Sequence, residues 1–366
     1  MKITLDPEAE KRLSDLLEAL DENISVADIY NDILLNFPSF IQGEELKSEM
    51  NDFHLKENEA YFKMLMDKDD IDYKDPGIEK MAGEHRMKDI LRLDDSFRMD
   101  PYMLNIRIPQ LRLGNWSLSH NFYAPYESFI YQDVSLKGPD FKEVTSLGYF
   151  DKEYPYPIAM QGGQVWMSIT PHEIMTMAEP IKEAKGDVLA FGLGLGYFPY
   201  MCSLKDEVKT ITIVERDRNI IYLFEKFILP QFAAKDKIRI VKADAFDFAE
   251  HHLEGFDFVF TDLWHSEEDG LLSYMRMKKQ ARRYPQTVFA YWIEESMLVM
   301  LRRCLLSLLQ EEKAGSTDED YQKAESDTDR AMNILHFALR NREVKTAKDL
   351  DDLLSDSSLK AILQEA

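Results

Sequence analysis

The feature that most constrains the fold is a strand-like run that ends in alternating glycines, Asp187-Val-Leu-Ala-Phe191 followed by Gly192-Leu-Gly194-Leu-Gly196. Glycine has no Cβ, so a chain leaving a strand here can turn sharply and pass close to a ligand or a neighbouring backbone. The pattern then alternates. Tyr197 to Leu204 reads as a short helix, Thr210-Ile-Thr-Ile-Val214 as a strand and Asn219 to Leu229 as a helix. Ile238-Arg-Ile-Val241, Phe256-Asp-Phe-Val-Phe-Thr261 and Thr287-Val-Phe-Ala-Tyr-Trp292 are further strands. Apolar strands separated by helical intervals predict an α/β fold with a parallel sheet covered on both faces. Beyond Glu294 the period becomes helical, with Met297, Leu301, Leu305 and Leu308 on one face.

Parallel α/β sheets bind ligands at the carboxyl edge, and acidic residues stand at that edge after successive strands. Glu215 closes the second strand, about twenty residues past the glycines, where an acid can accept both hydroxyls of a ribose. Asp244, in Ala243-Asp244-Ala245, follows the third strand, where a carboxylate can accept an adenine amino group. Asp262-Leu263-Trp264-His265 follows the fourth. Asp262 could take a proton or orient an amine, Trp264 could form an apolar or cation-binding wall, and His265 could titrate near neutrality. The plainer alternatives are a core tryptophan and a solvated loop histidine.

On these residues the segment from Asp187 to Trp292 resembles the class I S-adenosylmethionine-dependent methyltransferase superfamily. The resemblance implies a Rossmann-like methyltransferase fold with S-adenosylmethionine as cofactor. By motif position, Gly192, Gly194 and Gly196 would support its methionine part, Glu215 its ribose, and Asp244 with Ala245 its adenine. Dinucleotide dehydrogenases match less well, because their fingerprint is Gly-x-Gly-x-x-Gly and Gly196 comes one residue early. Two features point to the spermidine synthase-like branch. Ala190 stands where many methyltransferases carry an acid, and Gly163 to Ile181 is similar to the polyamine synthase segment leading into the sheet. Against that branch, Asp262-Leu-Trp-His-Ser-Glu-Glu-Asp269 departs from its Asp-x-x-Asp-Pro type sequence. Strands for the antiparallel hairpin that usually closes such a sheet are not evident. The resulting expectation is a methyltransferase acting on a small molecule. The alternatives are an aminopropyl (alkyl) transferase and a non-catalytic S-adenosylmethionine-binding or assembly protein.

The flanks read differently. Residues 1–100 form an acidic helical extension. Leu13, Leu16, Leu17 and Leu20 mark one helix, and Val26, Ile29, Tyr30 and Ile33 a second that stops near Pro38. Met50, Phe53, Tyr61, Met64 and Leu65 mark a third, broken at Asp75-Pro76-Gly77. A helical cap or a homodimer contact would account for this region. Residues 101–180 form an aromatic, β-rich segment that could cover the site, with strands over Met103–Ile108, Ser128–Val134, Val144–Phe150 and Gln164–Ile169. Residues 181–310 are the nucleotide-binding domain. Residues 311–366 hold C-terminal helices after a polar linker spanning Gln310 to Asp329.

A formal charge of -23 disfavours nucleic acid and anionic membrane surfaces as partners. No apolar run is long enough for a bilayer span and the first residues lack a signal-peptide core, so the chain reads as cytoplasmic. Cys202 and Cys304 make neither a disulfide framework nor a metal site. His251 and His252 lack further ligands at metal spacing. Thr170, Pro171 and Glu173 read as a helix-starting box, which accounts for the setting of His172. The basic run Lys278-Lys279-Gln-Ala-Arg282-Arg283 reads as a solvated helix face.

Overall fold

The computed structural model describes residues 1–315 and 326–365. The chain divides into two compact units, one of Met1–Leu17 with Met177–Ala366 and one of Glu18–Thr176.

The first unit is built on a five-stranded sheet. Its strands are β1 (Gly186–Phe191), β2 (Val208–Glu215), β3 (Ile238–Lys242), β4 (Phe258–Thr261) and β5 (Val288–Tyr291). All pairings are parallel and the spatial order is β3-β2-β1-β4-β5. This is the Rossmann-like α/β arrangement expected from the sequence. Val188, Leu189, Ala190 and Phe191 are all buried, as a central strand with both faces covered requires. Each parallel crossover carries helical structure: α1 (Tyr197–Ser203), α2 (Arg218–Leu223), α3 (Ala245–His251) and α4 (Glu267–Ala281). The interval after β2 is not one helix. Following α2 the chain widens into a π turn at Phe224–Ile228 and tightens into a 3₁₀ turn at Leu229–Gln231, where Pro230 cannot donate to an α-helical ladder. Among the described residues the sheet ends at β5, with no antiparallel hairpin beyond it.

Past β5, α5 (Glu294–Ala314) buries the expected face, with Met297, Leu301, Leu305 and Leu308 fully enclosed. The helix runs further than the sequence reading allowed, because Gln310 to Lys313 are good helix formers and Gly315 supplies the left-handed cap. The centre of the expected linker, 316–325, lies outside the described residues. A helix begins again at Asp327, started by Ser326 and Asp329 in a capping box, and two more follow at Ala347–Leu354 and Asp356–Glu365.

The helix at the start of the chain is a single element, Pro7–Asn36. Two were expected, but the acidic residues between their apolar stripes include no glycine or proline, and charge alone does not break a helix. Its portion up to Leu17 groups with the sheet unit and the remainder with the second unit. In that second unit the expected third helix is two, Gly43–Phe53 and Glu57–Lys68, separated at His54 in the left-handed region. Asp75-Pro76-Gly77 starts a helix instead of ending one. The Asp75 carboxylate accepts from the Gly77 and Ile78 N–H groups, and Pro76 takes the first helical position. The same device overturns the strand expected at Met103–Ile108. Asp100 caps, Pro101 opens, and Pro101–Asn105 is helical.

The long strands of this unit are Trp116–Tyr123 and Tyr154–Gln161, paired antiparallel along their whole length. Pro155 and Pro157 obscure the second in sequence. They occupy alternate positions, and the Pro157 carbonyl accepts from Ile169 N–H on the side away from Trp116–Tyr123. Neither missing donor therefore interrupts the ladder. The aromatic residues of this region mostly pack inward: Tyr61 and Tyr149 stack at 4.2 Å, and Phe150 and Tyr154 at 4.3 Å. Trp166 and Phe122 keep substantial exposure.

Leu301 is fully buried among the helices that follow β5. Leu301→Ala is expected to lower unfolding free energy by about 2–5 kcal/mol, read from urea midpoints, because the cavity left there cannot collapse fully.

Candidate functional site

Sheet register brings the predicted residues into one row. Phe191 lies opposite Val214 on one side and Thr261 on the other, and Thr261 lies opposite Tyr291. The residues that follow, Gly192, Glu215, Asp262 and Trp292, share the carboxyl edge. Chain order reverses between β1 and β4, the switch point where open α/β sheets form their ligand crevice.

Gly192 has φ +94°, and a Cβ there would come within 2.0 Å of the Asp262 carbonyl oxygen. The ladder continues past the strand on both sides of this point. Gly192 N–H donates to the Val214 carbonyl (3.0 Å), and Asp262 N–H to the Phe191 carbonyl (3.0 Å). Gly196 (φ +77°) leaves space that Phe224 fills, a Cβ there falling 2.3 Å from the ring. Gly194, at the centre of the loop, also lies in the left-handed region, at φ +51°. The loop amides are partly committed within the protein: Gly196 N–H donates to the Leu193 carbonyl and Leu193 N–H to Glu215 Oε2 (3.3 Å). Two of the three glycines thus have a packing reason that needs no ligand.

Glu215 is partly buried at the end of β2. Oε1 accepts from Asp217 N–H (2.8 Å) and Oε2 from Leu193 N–H. A carboxylate has about four acceptor sites, so the two oxygens keep capacity for a diol. Burial raises the Glu215 pKa against the lowering effect of the backbone N–H groups of Asp217, Arg216 and Leu193. Asp244 caps α3, with Oδ1 accepting from Phe246 N–H (2.9 Å) and Asp247 N–H (3.2 Å). The cap explains an aspartate here by itself and leaves Oδ2 for another partner. Ala245 is buried at the first helical position.

Asp262 retains partial exposure, and among the described residues its carboxylate accepts no hydrogen bond. Burial pushes its carboxyl up to about 7. Trp264 sits in the interior instead. It is 6% exposed, its Nε1–H donates to the Trp292 carbonyl (3.3 Å), and its ring meets Tyr274 edge-on at 6.4 Å. A Cβ at Gly270 would come within 2.6 Å of the indole. His265 is exposed, with Nδ1 2.9 Å from Asp269 Oδ2, and Asp269 also closes the capping box with Ser266. Burial would raise the Asp269 pKa, but bonds from His265 and Ser266 hold it lowered. Of Asp262, Trp264 and His265, only Asp262 carries a carboxylate, and among the described residues its oxygens accept no hydrogen bond.

One correction concerns the basic run. Lys278 is not on a solvated face: it is 6% exposed and 2.6 Å from Glu294 Oε1, which also accepts from the Tyr274 hydroxyl (2.8 Å). Lys360 approaches the other Glu294 oxygen at 3.0 Å. Burial lowers the Lys278 pKa despite the favourable carboxylate. The signal was in the sequence, since Leu271, Tyr274, Met275 and Lys278 fall at i, i+3, i+4 and i+7. Ile293, between this cluster and β5, holds a left-handed φ of +48°, unusual for a β-branched residue.

Residues 125–280 match the family described as the spermine/spermidine synthase domain. No curated protein matches the chain. Among solved structures that match, one titled "PigF with SAH" shares 16% identity over 31% of this chain and 39% of its own, with a TM-score of 0.25. Among the described residues no cluster of His, Cys, Asp and Glu suits a metal ion, and no helix is long and apolar enough to cross a membrane.

Two expectations follow. Gly192→Ala should cost about 2–5 kcal/mol in thermal or urea unfolding, from backbone strain and the clash with the Asp262 carbonyl. The raised Asp262 pKa means that the native chain binds this proton more tightly than the unfolded chain, whose value lies near 3.8. The associated stability is full below that value and is lost as pH rises through about 7. Asp262→Asn should flatten the dependence of urea midpoint on pH between about 4 and 7, and an unchanged slope would place the titration elsewhere.

Proposed function

We propose that the chain is a transferase that binds S-adenosylmethionine at the carboxyl edge of its sheet and passes the methyl group to a small-molecule nucleophile. The observation that carries this reading is the pairing, across Gly192, of a fixed acceptor carboxylate with an unspent one. Glu215 is held by two backbone N–H groups, and Asp262 is exposed enough to be reached. The residues fit an adenosine: Glu215 accepts the ribose hydroxyls, Asp244 Oδ2 the adenine amino group, with Ala245 beside it. Gly192, Gly194 and Gly196 let the backbone pass close to the remainder.

When bound, the sulfonium supplies an electrophilic carbon. The chain's own residues align the acceptor and handle its proton. Alignment can supply much of the rate of such a displacement. Asp262 would accept the proton that the acceptor loses on transfer. A carboxyl near pH 7 is suited to this, being substantially ionised at neutrality yet basic enough to hold the proton. Trp264 positions the Asp262 segment through Trp292, and His265 stands at the crevice rim on Asp269.

A second reading, aminopropyl transfer from decarboxylated S-adenosylmethionine, draws support from two observations. One is the match over residues 125–280. The other is Ala190, 1% exposed, at the position where an acid would hold the cofactor's amino group in many methyltransferases. Mass spectrometry of turnover with each cofactor separates the readings, S-adenosylhomocysteine marking methyl transfer and methylthioadenosine aminopropyl transfer. Calorimetry that finds no binding of S-adenosylmethionine, its decarboxylated form or S-adenosylhomocysteine would sink both. Glu215→Ala should weaken binding roughly ten- to hundred-fold, as expected for charge-assisted bonds worth on the order of 1.5–3 kcal/mol.

A further inference from the structure

The Glu18–Thr176 unit contains a cavity of about 750 Å³ that owes nothing to the Gly192 crevice. It opens among the start of helix Glu57–Lys68, the segment from Arg86 to Arg92, and the hairpin Ser135–Lys137/Lys142–Val144. The volume is that of a small-molecule site. Three cations, Arg86, Arg92 and Lys137, face it against two carboxylates, Glu57 and Asp89. Three positive minus two negative groups leave a surplus of one positive charge, in a chain whose net charge is -23.

The two arginines form ion pairs with those carboxylates but no close hydrogen bond. Arg86 lies 3.4 Å from Asp89 and Arg92 lies 3.5 Å from Glu57, both beyond the usual range of an N–H···O bond. Among the described residues the side chains of Arg86, Arg92 and Lys137 donate no hydrogen bond. Each guanidinium therefore offers planar, forked donors of the kind that matches a phosphate or a carboxylate. Glu57 is engaged otherwise, accepting from the Tyr149 hydroxyl at 2.9 Å. The walls are pinned as well, since Asn58 Nδ2 donates to the Lys88 carbonyl (2.7 Å) and fixes the Arg86–Arg92 segment to the helix start.

Arg86 adds an independent sign. It follows helix Pro76–Glu84 with φ +54°, where Met87 N–H donates back to the Ala82 carbonyl (2.9 Å). This is a helix-ending position that favours glycine. An arginine accepts conformational strain there, and strained backbone gathers at sites that clamp ligands. Leu91 and Val144 supply apolar surface beside the charges.

We propose that this cavity binds a small organic oxyanion, its phosphate or carboxylate held by Arg86 and Arg92 with Lys137 as the third charge. The test is calorimetry on the full chain with pyrophosphate and with citrate at matched ionic strength. Binding of at least one is expected, and which one binds tells phosphate from carboxylate. Arg86→Gly puts the preferred residue at the strained position, so its Tm should equal or exceed that of the parent while affinity falls at least tenfold. Lys137→Ala should weaken binding less, and Glu215→Ala, in the other site, should leave it unchanged. Failure of the parent chain to bind either probe would overturn the proposal. So would binding that survives Arg86→Gly, or binding that disappears with Glu215→Ala.

Discussion

The approach of the Asp262 carbonyl to Gly192 is the constraint around which the sheet unit is arranged. The carbonyl occupies space that a Cβ would fill, so β1 and β4 draw together at the edge where chain order reverses. Phe191 and Gly192 continue the ladder on both sides, and the loop's next amide is handed to Glu215. The backbones of Glu215 on β2 and Asp262 after β4 are consequently placed by main-chain geometry. Such placement favours precise positioning, because main-chain bonds in a sheet are shared among several residues and resist displacement together.

Outside that edge, the interior does the supporting work. Trp264 joins the segment after β4 to the end of β5, while Tyr274 and Lys278 of α4 meet Glu294 of α5 in a buried polar group. An ion pair enclosed this way adds little net stability over apolar packing, yet removing one partner strands the other. Its effect is to fix which way α4 and α5 face. The left-handed Ile293 between β5 and α5 marks where this arrangement strains the chain.

Much of the sheet was legible because parallel strands buried on both faces leave uninterrupted apolar runs, as at Val188 to Phe191. The carboxylates at 215, 244 and 262 were legible because strand ends mark the edge. Their division of labour was not. Sequence cannot show that Asp244 spends one oxygen on a cap, that Trp264 turns inward, or that Glu215 accepts from the glycine loop. Those facts depend on side-chain direction after the strand ends. Elsewhere, Asp75-Pro76 reads as a break and Met103–Ile108 as a strand, whereas the Asp–Pro pairs at 75–76 and 100–101 both begin helices. Lys278 stands among charged neighbours in sequence, but it lies on the apolar stripe of its helix.

The prolines of the Tyr154–Gln161 strand have a meaning beyond recognition. Sheets grow by offering alternating donors and acceptors to any strand that arrives in register. On the side away from Trp116–Tyr123, neither Pro155 nor Pro157 has an N–H to donate, and the Pro157 carbonyl already accepts from Ile169 N–H. An extended segment from another chain would find no main-chain donor at either position. The same two residues that conceal the strand from a reader of the sequence make that stretch a poor template for intermolecular β-pairing.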